Sequence, residues 1–148
     1  MDGLELLKTE HQRVDELFNE IESESDISKK KNLYKEINSE LTMHAHIEEK
    51  VLYPYFSDKE DFKRIVEDAF DEHQEAKSLL QEIDQTNEEN KFDNLIGELV
   101  KLVRHHVKDE EAKFFPKIRK VLKNEELEVL GDKLQAAKQT PIDNTLAA

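Results

Sequence analysis

The chain contains no cysteine and no tryptophan, and only 3 glycines and 3 prolines in 148 residues. Without cysteine there can be no disulfide, zinc–thiolate site or cysteine-held iron–sulfur cluster. The scarcity of glycine and proline argues against strand-rich folds, which need turn residues far more often. No apolar run approaches the length of a membrane span. Positive charge is also in deficit: 22 Lys and Arg face 35 Asp and Glu, a formal net charge of −13. Such a surface repels phosphate backbones and anionic lipid, so neither nucleic acid nor membrane is an expected partner. The start Met1-Asp2-Gly3-Leu4 lacks a basic segment followed by an apolar one, so the default expectation is a cytoplasmic protein.

What the chain does have is helical periodicity. Leu4, Leu7, Val14, Leu17 and Ile21 recur at spacings of three, four and seven, with His11 on the same stripe. The polar patch 22–26 marks a turn. A second stripe follows through Leu33, Ile37, Leu41, His44, Glu48, Val51 and Tyr55, with Pro54 in its last turn. Ser57 and Asp58 are candidate N-caps for a third helix, whose stripe is Phe62, Ile65, Ala69, His73, Ala76, Leu80 and Ile83. After a turn at 86–90, the fourth stripe is Phe92, Leu95, Leu99, Val103, His106, Glu110 and Phe114. Short connections between four amphipathic helices predict an all-α, up-down-up-down antiparallel four-helix bundle. Asn124 can cap a short fifth helix with Leu127, Leu130 and Leu134 as its buried edge. The expected organisation is one domain over residues 1–138 and a flexible tail over 139–148.

The two halves are copies. Adding 62 carries Glu10-His11-Gln12 onto Glu72-His73-Gln74, and His44, Glu48, Glu49 and Pro54 onto His106, Glu110, Glu111 and Pro116, without a gap. Residues four apart share a helix face, so His44 projects with Glu48 and His106 with Glu110. In each hairpin the two histidines lie about 22–27 Å from the turn, at about 1.5 Å of rise per residue. Six polar side chains, His11, His44, Glu48, His73, His106 and Glu110, therefore converge on one level of the core. Two unpaired buried carboxylates would each cost several kcal/mol, a cost that a metal pair removes. Four imidazoles and two carboxylates favour two iron ions, with manganese or zinc as substitutes.

These paired Glu-His segments, with H-x-x-x-E-E running into Val51-Leu52-Tyr53-Pro54 and Lys113-Phe114-Phe115-Pro116, resemble the hemerythrin-like HHE cation-binding domain over about residues 4–120. The resemblance implies a four-helix bundle around a non-haem di-iron centre with an oxo or hydroxo bridge. It makes His11, His44, His73 and His106 terminal ligands, and Glu48 and Glu110 bridging carboxylates. Oxygen-carrying hemerythrins have a fifth histidine four residues before the one matching His73, where this chain has Ala69. That difference implies an open position on each metal. The four-His, two-Glu set is also similar to di-iron proteins of iron–sulfur repair and nitric oxide chemistry, which usually carry a cysteine-containing N-terminal segment that is not present here.

The functional expectation is a di-iron protein that binds or reacts with O2, NO or peroxide. The alternative is iron storage, buffering or sensing without catalysis. Expected pocket walls are Leu7, Val14, Ile47, Ala69, Ala76 and Val103. His46 is expected to face solvent and His105 to lie on a flank. Glu10, Glu49, Glu72 and Glu111 read first as surface salt-bridge partners, with bonding to the ligand histidines as the alternative. Phe18, Phe70, Phe114 and Phe115 read as core filling.

Overall fold

The computed structural model describes residues 1–142. Among them there are five helical rods and no strand. Helix α1 is Gly3–Ser23, opened by Asp2, whose carboxylate accepts from the amides of Leu4 and Glu5. Helix α2 is Ile27–Ile47; it continues through a π-helical turn, Glu48–Leu52, into a last α-turn, Tyr53–Phe56. Helix α3 is Lys63–Gln85. Helix α4 is Glu89–Asp109, extended by a second π-turn, Glu110–Phe114, and then Phe115–Val121. Helix α5 is Asn124–Ala137. None of these helices is long and apolar enough to cross a membrane.

The π-turns follow from the prolines. Pro54 and Pro116 have no amide hydrogen, and their rings crowd the carbonyl four residues back. A wider turn meets both problems: the Tyr53 amide bonds the Glu48 carbonyl, and the Phe115 amide bonds the Glu110 carbonyl, each five residues back. One extra residue per turn then shifts the phase of the inward face. Leu52, Tyr53 and Phe56 are buried, whereas Tyr55, on the expected stripe, is 41% exposed. Phe70, expected in the core, is also 41% exposed, because α3 turns Val66, Ala69 and His73 inward instead.

Ser57 and Asp58 do not cap α3. Residues 57–62 form tight turns, with Lys59 N–H on Phe56 O and Phe62 N–H on Lys59 O, and buried Phe62 leads the helix. At the start of α5 the cap is Lys123, one residue before the expected Asn124, and its amide donates to Glu126. Helix α5 buries Leu127, Leu130 and Leu134 against α1 and the π-turn of α2. This docking was not readable from the stripes. Thr140, within the expected tail, bonds back to the bundle, and residues 143–148 lie outside the described residues.

Two apolar clusters result. One gathers Leu4, Leu7, Ile47, Leu52, Phe56, Phe114 and the leucines of α5. The other gathers Val14, Leu17, Phe18, Ile37, Leu80, Leu99 and Val103 toward the interhelical turns. The polar layer lies between them.

Candidate metal centre

All six expected residues meet in that layer, each less than a tenth exposed. Nε2 of His11 and Nε2 of His44 are 3.2 Å apart. Glu48 Oε1 stands 3.2 Å from His44 Nε2 and 3.1 Å from His73 Nε2, between the hairpins. Glu110 spans them as well: Oε1 is 3.1 Å from His11 Nε2 and Oε2 is 3.4 Å from His106 Nε2. Two compact donor groups emerge, His11–His44–Glu110 and Glu48–His73–His106.

Four further carboxylates hold the imidazoles from outside. Glu10 takes His44 Nδ1 at 2.8 Å and Glu72 takes His106 Nδ1 at 2.9 Å, each within its own hairpin. Glu49 takes His73 Nδ1 at 2.8 Å and Glu111 takes His11 Nδ1 at 2.6 Å, each across the hairpin boundary. The surface salt-bridge reading of these glutamates is therefore corrected. Their recurrence at the 62-residue offset was the signal that could have assigned them. Lys138 and Lys77 back up Glu10 and Glu49 at 2.6 and 3.0 Å.

This bonding decides whether a cation fits. An imidazole that donates through Nδ1 presents a lone pair at Nε2 when neutral. Four such lone pairs and two carboxylates then face one another. Glu48 Oε2, Glu110 Oε1 and His106 Nε2 are buried without a hydrogen-bond partner, a costly arrangement for a core. A cation held among them satisfies all of these groups at once, and the donor chemistry suits a transition metal. Without one, protons must serve. Burial opposes the charged form of His44, but Glu48 and Glu10 outweigh it and hold the group well above the ordinary imidazole value. His106 is likewise pushed up to about 10, with Glu110 and Glu72 prevailing over burial.

Tyr53 was not anticipated. Its hydroxyl lies 3.1 Å from His73 Nε2 and donates toward Glu48 Oε1 at 3.3 Å and Glu110 Oε2 at 3.4 Å. Burial, together with Glu48 and Glu110, pushes this phenol well above its usual value. The periodic stripe passed over it because the phase shift at the π-turn is not visible in a 3.6-residue pattern.

His46, expected in solvent, is 8% exposed. Its Nε2 meets Thr140 Oγ1 at 2.8 Å and Ala137 O at 3.1 Å, because α5 covers this face of α2. His105 is on a flank, 62% exposed in its side chain and 3.3 Å from Asp109. A cavity of about 540 Å³, lined chiefly by α2 and α3, reaches all four ligand-type histidines. Val14, Ala76 and Val103 line it as expected, whereas Leu7, Ile47 and Ala69 belong to the apolar cluster on the other side of the layer.

Comparison with known proteins bears on the fold and the family. A crystal structure of a hemerythrin HHE cation-binding domain-containing protein from Mycobacterium kansasii superposes with a TM-score of 0.79 at 24% identity, covering 94% of this chain and 86% of that one. At that identity the likeness speaks for the fold. A protein of Nostoc sp. (strain PCC 7120 / SAG 25.82 / UTEX 2576) described as a DNA nickase is 31% identical over 142 residues, 93% of this chain but 39% of the relative's length. The family model described as the hemerythrin HHE cation-binding domain matches residues 2–118, nearly the whole bundle. The chain belongs to the hemerythrin HHE cation-binding domain family.

Proposed function

We propose that the domain holds two iron ions in the six-residue layer and uses them to bind or react with O2, NO or peroxide. The observation that carries this reading is the set of four Nε2 atoms and two glutamates converging in a core layer where hydrogen bonds leave three polar atoms unmatched. His11 and His44 would hold one ion and His73 and His106 the other, with Glu48 and Glu110 reaching both. When bound, the metal pair supplies Lewis acidity and redox capacity.

The protein's own part is positioning. Glu10, Glu49, Glu72 and Glu111 fix the tautomer and aim of each imidazole. The two apolar clusters bracket the layer, and the cavity that reaches its four histidines admits a small ligand. The activity of the Nostoc relative is not carried over, because the match spans 39% of its length and a net charge of −13 opposes approach to DNA. The proposal thus includes no nucleic-acid or membrane partner and a cytoplasmic setting.

Elemental analysis tests the reading: about two irons per chain are expected, reduced in His73→Ala and Glu110→Ala. Full occupancy in both variants overturns it. Storage or sensing in place of ligand chemistry is favoured if loaded protein neither takes up O2 or NO nor turns over peroxide, while chelation lowers the melting temperature strongly.

A further inference from the structure

Glu10 and Glu72 hold equivalent places in the two hairpins, each with Oε1 on the Nδ1 of a ligand-type histidine. Their outer oxygens differ. Glu10 Oε2 is 2.6 Å from the ammonium of Lys138, at the end of α5. Met43 and Ile47, on α2, pack into the apolar cluster that holds the leucines of α5. At the 62-residue offset Met43 becomes His105 and Ile47 becomes Asp109. There His105 is exposed and Asp109 half-buried. Among the described residues no lysine or arginine pairs with Glu72, only His105 and His106.

The outer oxygen of Glu72 therefore meets donors where that of Glu10 meets a charge. Glu72 Oε2 is 3.8 Å from His105 Nε2, and the same nitrogen is 3.3 Å from Asp109 Oδ2. One ligand atom from each of the three residues lies within 4.8 Å of the others. A tetrahedral ion with donors at about 2.1 Å sets them about 3.4 Å apart, close to both nitrogen–oxygen spacings. A surface ion pair accounts for His105 with Asp109, four residues apart on one helix. It does not account for Glu72 Oε2. The ammonium of Lys113 stands 3.8 Å from the other oxygen of Asp109, on a side chain 71% exposed, and does not pair with Glu72.

We propose that Glu72, His105 and Asp109 form a separate, solvent-facing site for a divalent transition-metal ion, which takes the place that Lys138 has in the first hairpin. One imidazole nitrogen and two carboxylates are a donor set for a first-row ion such as zinc or ferrous iron, with water completing the coordination. None of the three side chains belongs to the six-residue layer, so the site does not require that layer to hold metal. The two are nevertheless joined. The exterior ion pins Glu72 against His106 as Lys138 pins Glu10 against His44, and one carboxylate serves both the ion outside and the imidazole inside. The duplicated hairpins thus meet one need, a positive charge behind the orienting glutamate, by two means. Helix α5 brings a lysine to the first, and the second, which α5 does not cover, takes an ion from solution.

The test uses zinc ion alone as the probe, dialysed to saturation against the full chain as wild type, His105→Met and Asp109→Asn. His105→Met restores the residue of the first hairpin, and both changes lie outside the buried core, so both variants should fold. Each should bind one zinc fewer per chain than the wild type. Nitrogen-15 spectra of the wild-type imidazoles give a second readout that needs no variant: His105 Nε2 should shift on adding zinc and stay in place on adding magnesium, a harder ion that prefers oxygen donors. The same zinc count in all three chains, or a His105 Nε2 resonance unmoved at saturation, overturns the site. The difference in count is independent of what the layer holds. About three against two supports the exterior site beside a two-metal layer. One against none supports the exterior site and speaks against a metal-filled layer.

Discussion

His11 and Glu111 stand 100 residues apart in the chain and 2.6 Å apart in the fold. The pair joins α1 to the π-turn of α4, and His73 with Glu49 makes the matching crossing from α3 to the π-turn of α2. The two hairpins are thus tied to each other through the groups that orient the Nε2 atoms. Removing Glu111 frees the His11 ring to rotate. Glu111→Ala should lower metal affinity about 10–100-fold, with Glu111→Gln less severe because an amide oxygen can still accept from Nδ1–H. Competition against a calibrated chelator measures this. Unchanged affinity in both variants would return Glu111 to a surface ion pair.

The six converging side chains were legible because helical spacing and a gapless repeat place them without any knowledge of side-chain detail. The face of the chain beyond each glutamate was not. A 3.6-residue stripe carried forward from Glu48 puts Tyr55 inside, whereas the five-residue hydrogen bond from Tyr53 to Glu48 puts Phe56 there. Phe56→Ala should therefore cost about 3–5 kcal/mol of stability, since Phe56 is fully buried. Tyr55→Ala should cost less than about 1 kcal/mol, as expected of an exposed side chain. Urea denaturation of the metal-loaded variants decides it, and the reverse ranking would rule out the phase shift. The docking of α5 was illegible for another reason. Its leucine edge shows that it buries one face, but a stripe carries no address for its partner.

That missing address explains His46. By angle alone it points away from His44, yet α5 ends over it, and Thr140 and the Ala137 carbonyl close on its Nε2. Its counterpart in the second hairpin is Lys108, exposed because no fifth helix covers α4 there. His46→Ala should destabilise the chain by about 2 kcal/mol, combining a small void with lost hydrogen bonding. In a double-mutant cycle with Thr140→Val, the coupling should be about 1 kcal/mol. A coupling near zero would show that the C-terminal turn docks independently of the imidazole.

The protons that stand in for metal give the metal-free chain a distinctive dependence on pH. His106 is raised from 6.5 to about 10 in the fold, as Glu110 and Glu72 outweigh burial; His44 and His73 shift in the same direction. A raised imidazole contributes stability that is fully present below its unfolded value and lost as pH rises through the folded one. Glu48 runs the other way: burial opposes its charge, but His44 and His73 hold it well below 4.5, so its contribution is present above 4.5 and lost as pH falls through its folded value. Metal-free protein should be less stable at pH 9 than at pH 6. Loaded protein should not follow this fall, because each metal displaces the protons that rising pH would remove, and its affinity should increase with pH. Urea melts at the two pH values, with and without iron, check the sign. A metal-free chain as stable at pH 9 as at pH 6 would mean that the imidazolium–carboxylate contacts do not hold the empty layer together.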